Sequence, residues 1–334
     1  MNMSRDEVAR KAGVGAGTVS RVYNRPHSVA EATRKRVLAA AEELGYQPNK
    51  AASRLRRKDN GTILVAMDRG QAFGGAWRNY SWLWATLDRA LRERMESSPF
   101  EVKECVVNDG KHLQQIVASQ PWVGLLTINF SCPDSMSHWV EAGLPCYAVS
   151  SHGIEDTEFA ISPDEHAGGA MLAKHVKDCG NQVPLILTYP MHRLPQRRHR
   201  VEGFRSVFPH AKVWELETAP RHVPGFREEL NRQIGAIEAD VVFTHSSALG
   251  AEVMFALLEQ GRRPGEDISL VTYDNAHWLS HLPVGLTSVD NRLHQIVGRA
   301  MDLMTEDISR SRSVQIASEK QLPELVTRAS VVRR

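Results

Sequence analysis

Val8-Ala9-Arg10-Lys11-Ala12-Gly13-Val14-Gly15-Ala16-Gly17-Thr18-Val19-Ser20-Arg21-Val22-Tyr23-Asn24 decides how the amino-terminal end of this chain folds. Just before it, Ser4-Arg5-Asp6-Glu7 has the form of a capping box, in which the Ser4 hydroxyl reaches the Glu7 amide and the Glu7 side chain reaches back. The spacing predicts a helix over 5–12 with Val8, Ala9 and Ala12 on its apolar side, a break at Gly13, a plug at Val14 and a second helix over 16–23. Residues 30–44 read as a third helix with Val37, Ala40, Ala41 and Leu44 facing inward and Gly45 ending it. Two short helices joined by a Gly-containing turn make a helix-turn-helix, a motif whose second helix enters the major groove of duplex DNA, where base edges can be told apart.

Charge divides the chain at the same place. Residues 1–58 carry 13 Lys/Arg against 5 Asp/Glu, a net +8, while the remainder carries 28 against 34, a net −6. A basic head on an acidic body points to a polyanion-binding module joined to something else. No apolar run approaches the ~20 residues that span a bilayer, and Met1-Asn2-Met3-Ser4-Arg5-Asp6 lacks the apolar stretch of a signal peptide. The expectation is therefore a cytoplasmic protein with no membrane partner. Cys105, Cys132, Cys146 and Cys179 form no C-x-x-C pair and read as scattered reduced thiols.

From Thr62 onward the pattern changes. Short apolar runs at 62–67, 123–128, 146–149, 184–187, 241–244 and 268–273 read as buried parallel strands. Amphipathic stretches at 80–95, 168–178, 226–237 and 248–260 fall between them. Such alternation implies open parallel sheets with helices on both faces, and two such units fit the length. Ligands of these sheets bind beyond the carboxyl ends of the strands, so residues just after each run are candidates.

The motifs together resemble the lactose/galactose repressor family of bacterial transcriptional regulators. In the head the resemblance rests on Val8 to Val14, Thr18 to Asn24, Thr33-Arg34-Lys35-Arg36-Val37 and Leu44-Gly45-Tyr46-Gln47-Pro48-Asn49. In the body it rests on Arg200-Val201-Glu202-Gly203-Phe204, Ala248-Leu249-Gly250, Asp267 to Asn275 and Pro323-Glu324-Leu325-Val326. It implies an α/β fold class, with an N-terminal all-α helix-turn-helix domain followed by a two-lobed periplasmic-binding-protein-like domain with parallel sheets. The expected divisions are a head at 1–46, a hinge helix and linker at 47–60, and an effector-binding and dimerisation domain at 61–334. Within the last, the N-lobe is placed at about 61–160 and 289–318, and the C-lobe at about 161–288 and 319–332.

By the same resemblance the partners are a double-stranded DNA operator, a second copy of the chain, and a small effector that is a sugar, sugar acid or sugar phosphate. Cofactors, metals and catalytic residues are not expected. Arg21 and the side chains of Ala16 and Gly17 would face base edges, while Thr18, Ser20, Asn24 and Ser28 would hold phosphates. In the hinge, Asn49, Ala52, Arg54 and Leu55 would meet DNA, with Leu55 as the wedge that unstacks a base step. Gly15-Ala16-Gly17 departs from the family pattern of a serine and two larger readers, and Ala30 replaces the usual capping serine of the third helix. The expected specificity therefore leans on Arg21 and the hinge.

Arg200 and Asp274 stand where the family binds effector, and both suit polyhydroxyl ligands through paired charge-assisted hydrogen bonds. Asp68, Ser150, His222, Thr244 and Asp290 occupy other matching positions. Thr244-His245 replaces the usual Asn-Asp. Trp77, Tyr80, Trp82 and Trp84 follow the first strand, and helical spacing would put Trp77, Tyr80 and Trp84 on one face, which reads as a packed or dimer-facing surface, with Trp77 stacking on a sugar ring as the alternative. The run from His192 to Arg200 reads as a solvated cationic loop that would favour an anionic effector if it bordered the site. Asp164-Glu165-His166 reads as a helix cap with solvated charges. The absence of leucine heptads after the tail favours a dimer over a tetramer.

Two other functions compete. A transport-type sugar-binding protein would share the body but has no use for a basic head, and a DNA-binding regulator could answer to a protein co-regulator instead of a small molecule. No G-x-S-x-G, Walker loop, G-x-G-x-x-G or H-E-x-x-H supports an enzyme. The expected mechanism is effector binding between the lobes, which rotates the N-lobes of a dimer, parts the hinges and changes DNA affinity.

Overall fold

A computed structural model describes residues 5–24, 29–44, 61–68, 81–128, 144–149, 160–193, 195–216, 226–235, 238–310 and 318–334. The chain divides into two compact units, Met1–Asp59 and Asn60–Arg334.

The first unit holds α1 (Arg5–Ala12), α2 (Ala16–Asn24) and α3 (Glu31–Glu43). Gly13 takes φ +66°, which reverses the chain after α1. The amides of Gly13 and Val14 then bond the carbonyls of Arg10 (3.3 Å) and Ala9 (3.0 Å), closing the helix end in a Schellman turn. Val8, Ala9, Ala12, Val19, Val22, Val37, Ala40 and Ala41 form the buried core, with Val14 and Leu44 packed against it. Each fully buried valine contributes about 1.5–3 kcal/mol, so this small Val/Ala core carries the unit's packing. Lys11 also pairs with Glu43, tying α1 to α3. Ala30 sits at the N-cap of α3 with no side-chain cap, as its methyl dictates. Ser4, the other half of the expected capping box, lies outside the described residues.

The second unit contains two six-stranded sheets. The first comprises β1 (Thr62–Asp68), β2 (Glu101–Val107), β3 (Gly124–Ile128), β4 (Cys146–Val149), β5 (Ala160–Pro163) and β11 (Glu319–Gln321), in the order β11-β5-β4-β3-β1-β2. All its pairings are parallel. With it belong α4 (Ser81–Ser97), α5 (Gly110–Ser119) and α10 (Leu293–Arg310). One sheet face is buried under α4 and α10 through Leu87, Leu91, Ile296, Ala300 and Met304. The other packs Leu64, Leu125 and Cys146 against Leu113 and Trp122.

The second sheet comprises β6 (Pro184–Thr188), β7 (Lys212–Glu215), β8 (Val241–Thr244), β9 (Ser269–Tyr273), β10 (Thr287–Asp290) and β12 (Glu324–Val326), in the order β12-β10-β9-β8-β6-β7. It is parallel except for β12, which runs antiparallel to β10. Its helices are α6 (Glu165–Asp178), α7 (Pro195–Val207), α8 (Phe226–Gly235) and α9 (Ser247–Glu259). In both sheets the strand order reverses beside the first strand, at β1/β3 and at β6/β8. Connecting helices leave in opposite directions there, which opens a crevice at the carboxyl ends.

The chain passes from the first sheet to the second after β5, returns after β10 and crosses again between Gln321 and Glu324. This corrects three expected lobe boundaries: residues 289 and 290 end β10 and belong to the second sheet. Residues 161–163 and 319–321 belong to the first sheet, because β5 and β11 pair there in register (Ile161 with Glu319). Of the expected aromatic face, Trp84 packs on the core of the first sheet, while Trp82, which is off that face, is buried in the core of the second. Trp77 and Tyr80 lie outside the described residues.

Candidate functional site

α7 brings Arg200, Val201, Gly203 and Phe204 to its buried face. Its backbone lies directly on that of α6: a Cβ on Gly169 would come within 2.1 Å of the Arg200 carbonyl oxygen, and one on Gly203 within 2.0 Å of the His166 carbonyl oxygen. Only glycine fits at this crossing, and the close approach sets Arg200 beside Glu165, the first residue of α6. The Asp164 carboxylate caps α6 by accepting from the Ala167 amide at 2.9 Å. Glu165, expected to be a solvated charge, is instead buried and accepts from Arg200 Nε (2.7 Å) and Nη2 (2.9 Å). Its place at the helix start, facing α7, removes it from water.

Arg200 also pairs with Asp274 (Nη2 to Oδ1, 3.1 Å), donates from Nη1 to the His245 carbonyl (2.8 Å) and lies over the Tyr273 ring at 4.0 Å from its centroid. Burial opposes the guanidinium charge, but Asp274 and Glu165 outweigh it and hold the arginine pKa above its ordinary value. Asp274 follows β9 with φ +63°. Its carbonyl accepts from Ser247 Oγ and from the Ala276 amide (2.9 Å), and Asn291 Nδ2 donates to Oδ1 at 3.1 Å. Burial raises the pKa of this carboxylate, and the Arg200 guanidinium partly offsets the rise. The result is a buried Glu165–Arg200–Asp274 group, two carboxylates on one cation, at the carboxyl ends of the second sheet.

Other expected site residues are placed differently. The Thr244 hydroxyl is fully buried and donates to Thr272 Oγ1 at 2.8 Å beneath α9, so it does not project beyond the strand. Side chains alternate faces along a strand, and the next residue, His245, is placed differently. Asp290 is half-buried, and its carboxylate accepts from Asn275 Nδ2 (3.0 Å) and the Arg292 amide (2.7 Å), where β10 hands the chain back to the first sheet. The two carboxylates are linked through each other's neighbours: Asn275, next to Asp274, donates to Asp290, and Asn291, next to Asp290, donates to Asp274. The side chain of Asp68, which ends β1, and residues Trp77, Ser150 and His222 lie outside the described residues.

His245 is buried, with its ring edge-on to Tyr189 at 4.9 Å and neither ring nitrogen hydrogen-bonded among the described residues. Tyr189 follows β6 and His245 follows β8, so the pair spans the crevice where the strand order reverses. Burial, then Arg197 and Arg200, push the imidazole well below its ordinary pKa of 6.5. The cationic run before Arg200 is also not simply a loop: 195–200 form the first turns of α7, and Arg197 lies over the Tyr189 ring at 5.4 Å.

In the head, α2 presents Gly17 and Arg21 to solvent. The Arg21 guanidinium folds back along the helix, Nε toward the Gly17 carbonyl (3.4 Å) and Nη2 toward Thr18 Oγ1 (3.3 Å). Ala16, expected at base edges, packs partly against the helical core. The side chains of Ser20 and Asn24, and residues Ser28, Asn49, Ala52, Arg54 and Leu55, lie outside the described residues. No cluster of three His, Cys, Asp or Glu side chains among the described residues could hold a metal ion. No described helix is long and apolar enough to cross a membrane.

Comparison with known proteins decides the family. The model for bacterial regulatory proteins of the lacI family matches residues 6–49, the helical unit, and that for the periplasmic binding protein-like domain matches residues 174–331. The HTH-type transcriptional regulator CelR of Thermobifida fusca is 29% identical over 90% of both chains. The chain is a LacI-family transcriptional regulator. Its fold is shared by the lac repressor dimer bound to operator and the anti-inducer ONPF (TM-score 0.65, 21% identity, 99% of this chain and 100% of that one). It is also shared by a transcriptional regulator CelR–cellobiose complex (TM-score 0.61, 22% identity, 98% of this chain and 100% of that one). As a LacI-family protein the chain binds DNA to control transcription and is not an enzyme.

Proposed function

We propose that the protein acts as a homodimeric repressor whose two heads grip an operator and whose second unit binds a small polyhydroxylated effector at the carboxyl ends of β6, β8 and β9. The observation that carries this reading is the buried Glu165–Arg200–Asp274 group. Burying charges carries a desolvation cost, and strongly perturbed charged groups cluster at functional sites. Here the paired charges lie beyond parallel strand ends, where ligands of such sheets bind. Arg200 is already oriented by two carboxylates, a carbonyl and a ring, so it pre-positions Asp274 to accept from ligand hydroxyls. The sugar class is further supported by the CelR–cellobiose complex, and the dimer on DNA by the operator-bound lac repressor dimer.

In this reading Arg21 reads base edges, with Gly17, Ala16 and Thr18 against the duplex, while Ser20, Asn24 and Ser28 hold phosphates. Asn49, Ala52, Arg54 and Leu55 form a hinge that pairs with its copy in the minor groove. Asp68, Trp77, Ser150, His222 and Asp290 complete the effector site around Arg200 and Asp274. The effector acts through its differential affinity for two lobe arrangements, a coupling of ~1–3 kcal/mol. Footprinting on an enriched operator, with and without a panel of sugars, tests this. The expected result is a two-fold symmetric footprint that one sugar class weakens or strengthens, in the wild type and not in Asp274→Ala. A footprint indifferent to every small molecule but altered by a cell extract would instead favour a protein co-regulator.

A further inference from the structure

Ser246 is the N-cap residue of α9 and has the extended backbone of a capping serine, yet its hydroxyl caps no amide. It is 2% exposed, and its Oγ has no hydrogen-bond partner among the described residues. Beside it His245, also 2% exposed, leaves both ring nitrogens unbonded. The first helical acceptor of α9 is Ser246 O, which takes the Gly250 amide at 3.0 Å, so the amides of 247–249 have no partner within the helix. Buried polar groups left without a hydrogen bond are destabilising. Two on consecutive residues, at the head of a 13-residue helix and at the crevice between β6 and β8, leave hydrogen-bonding capacity there that no described protein group uses.

The charges around this spot fix the ligand's chemistry. The cations bearing on His245 are Arg197 and Arg200, both from α7. The nearby carboxylates, Glu165 from α6 and Asp274 after β9, engage Nε and Nη2 of Arg200, whereas Nη1 faces the His245 carbonyl. The guanidinium thus stands between those carboxylates and His245, and the positive end of α9 adds to the same field.

We infer that Ser246, His245 and the first amides of α9 form a subsite for an acidic group, a carboxylate or a phosphate monoester, carried by the effector. This rests on the effector site proposed above and narrows its ligand to a sugar acid or sugar phosphate, with hydroxyls on Asp274 and the acidic group at the head of α9.

The test follows the thermal midpoint of the full chain during titration with inorganic phosphate and with acetate at constant ionic strength, for wild type, Ser246→Ala and His245→Asn. Anions on the basic head shift all three equally, so the variant-dependent part reports this subsite. One of the two anions is expected to bind wild type about tenfold more tightly than either variant. Equal shifts in all three proteins for both anions overturn the inference. A second titration compares D-glucose with D-glucuronate and D-glucose 6-phosphate. Preference for one acid that vanishes in the variants supports the subsite and tells carboxylate from phosphate. Protection by the neutral sugar alone, equal in all three, overturns the acidic subsite and leaves the effector site standing. A variant-dependent phosphate response with no response to any sugar supports the subsite and counts against a sugar effector.

Discussion

Arg200 has almost no freedom: it is buried, its fork is filled by Glu165, Asp274 and the His245 carbonyl, and its plane rests on Tyr273. Removing one partner of a buried charge group leaves the other uncompensated, at a cost of about 3–5 kcal/mol. Glu165→Ala should therefore lower urea stability of the second unit by about that amount, and a loss under about 1 kcal/mol would show that Asp274 alone suffices to hold the guanidinium. His245 carries a pH signature. Its folded pKa lies below 6.5, so as pH falls through that value the unfolded imidazole takes a proton that the folded one refuses. The unfolded state then binds more protons, and stability is lost on acidification below 6.5 while this group is silent above it. Urea titrations at about pH 7.5 and about pH 5.5 should show a loss that shrinks in His245→Asn. An unchanged loss would place the acid sensitivity elsewhere.

At the scale of elements, the contact between α6 and α7 decides where Arg200 points. Gly203→Ala should push the helices apart and cost about 1–3 kcal/mol, together with effector response; calorimetric melting of the variant checks it. Gly17, by contrast, has open space around it, so Gly17→Ala should stabilise α2 by up to about 1 kcal/mol, seen as a higher midpoint of the helical unit. The sequence made most of these elements legible. The head's turn, core and helices follow from Gly13 and the Val/Ala spacing, and β1, β3, β4, β6, β8 and β9 from continuous apolar runs. β2 and β7 were not legible because these edge strands mix exposed Lys and Glu with half-buried residues. β5 and β10 hide behind serine, threonine and proline, although they are buried. Missing β5 also concealed Glu165, since nothing marked it as lying past a strand end. His245 was within reach, because the rule that selected Thr244 applies one residue later, where the side chain leaves the sheet.

The whole molecule joins a head of net +8 to a body of net −6. Such a head should bind duplex strongly at low salt and lose on the order of 10³-fold in affinity between about 50 and 200 mM salt, by release of counterions. Fluorescence anisotropy across that range checks the slope; a flat response would remove the phosphate contacts. Within the head, Gly17 offers no side chain and Ala16 only a half-buried methyl, so base selection concentrates on Arg21, whose fork matches the two acceptors of guanine. The most direct trial is selection of genomic fragments by the full chain, wild type beside Arg21→Ala. Wild type is expected to enrich a two-fold symmetric site, and Arg21→Ala to bind it weaker by about 1–3 kcal/mol and less selectively. Failure to enrich any fragment at low ionic strength, or equal enrichment by the variant, would contradict that expectation.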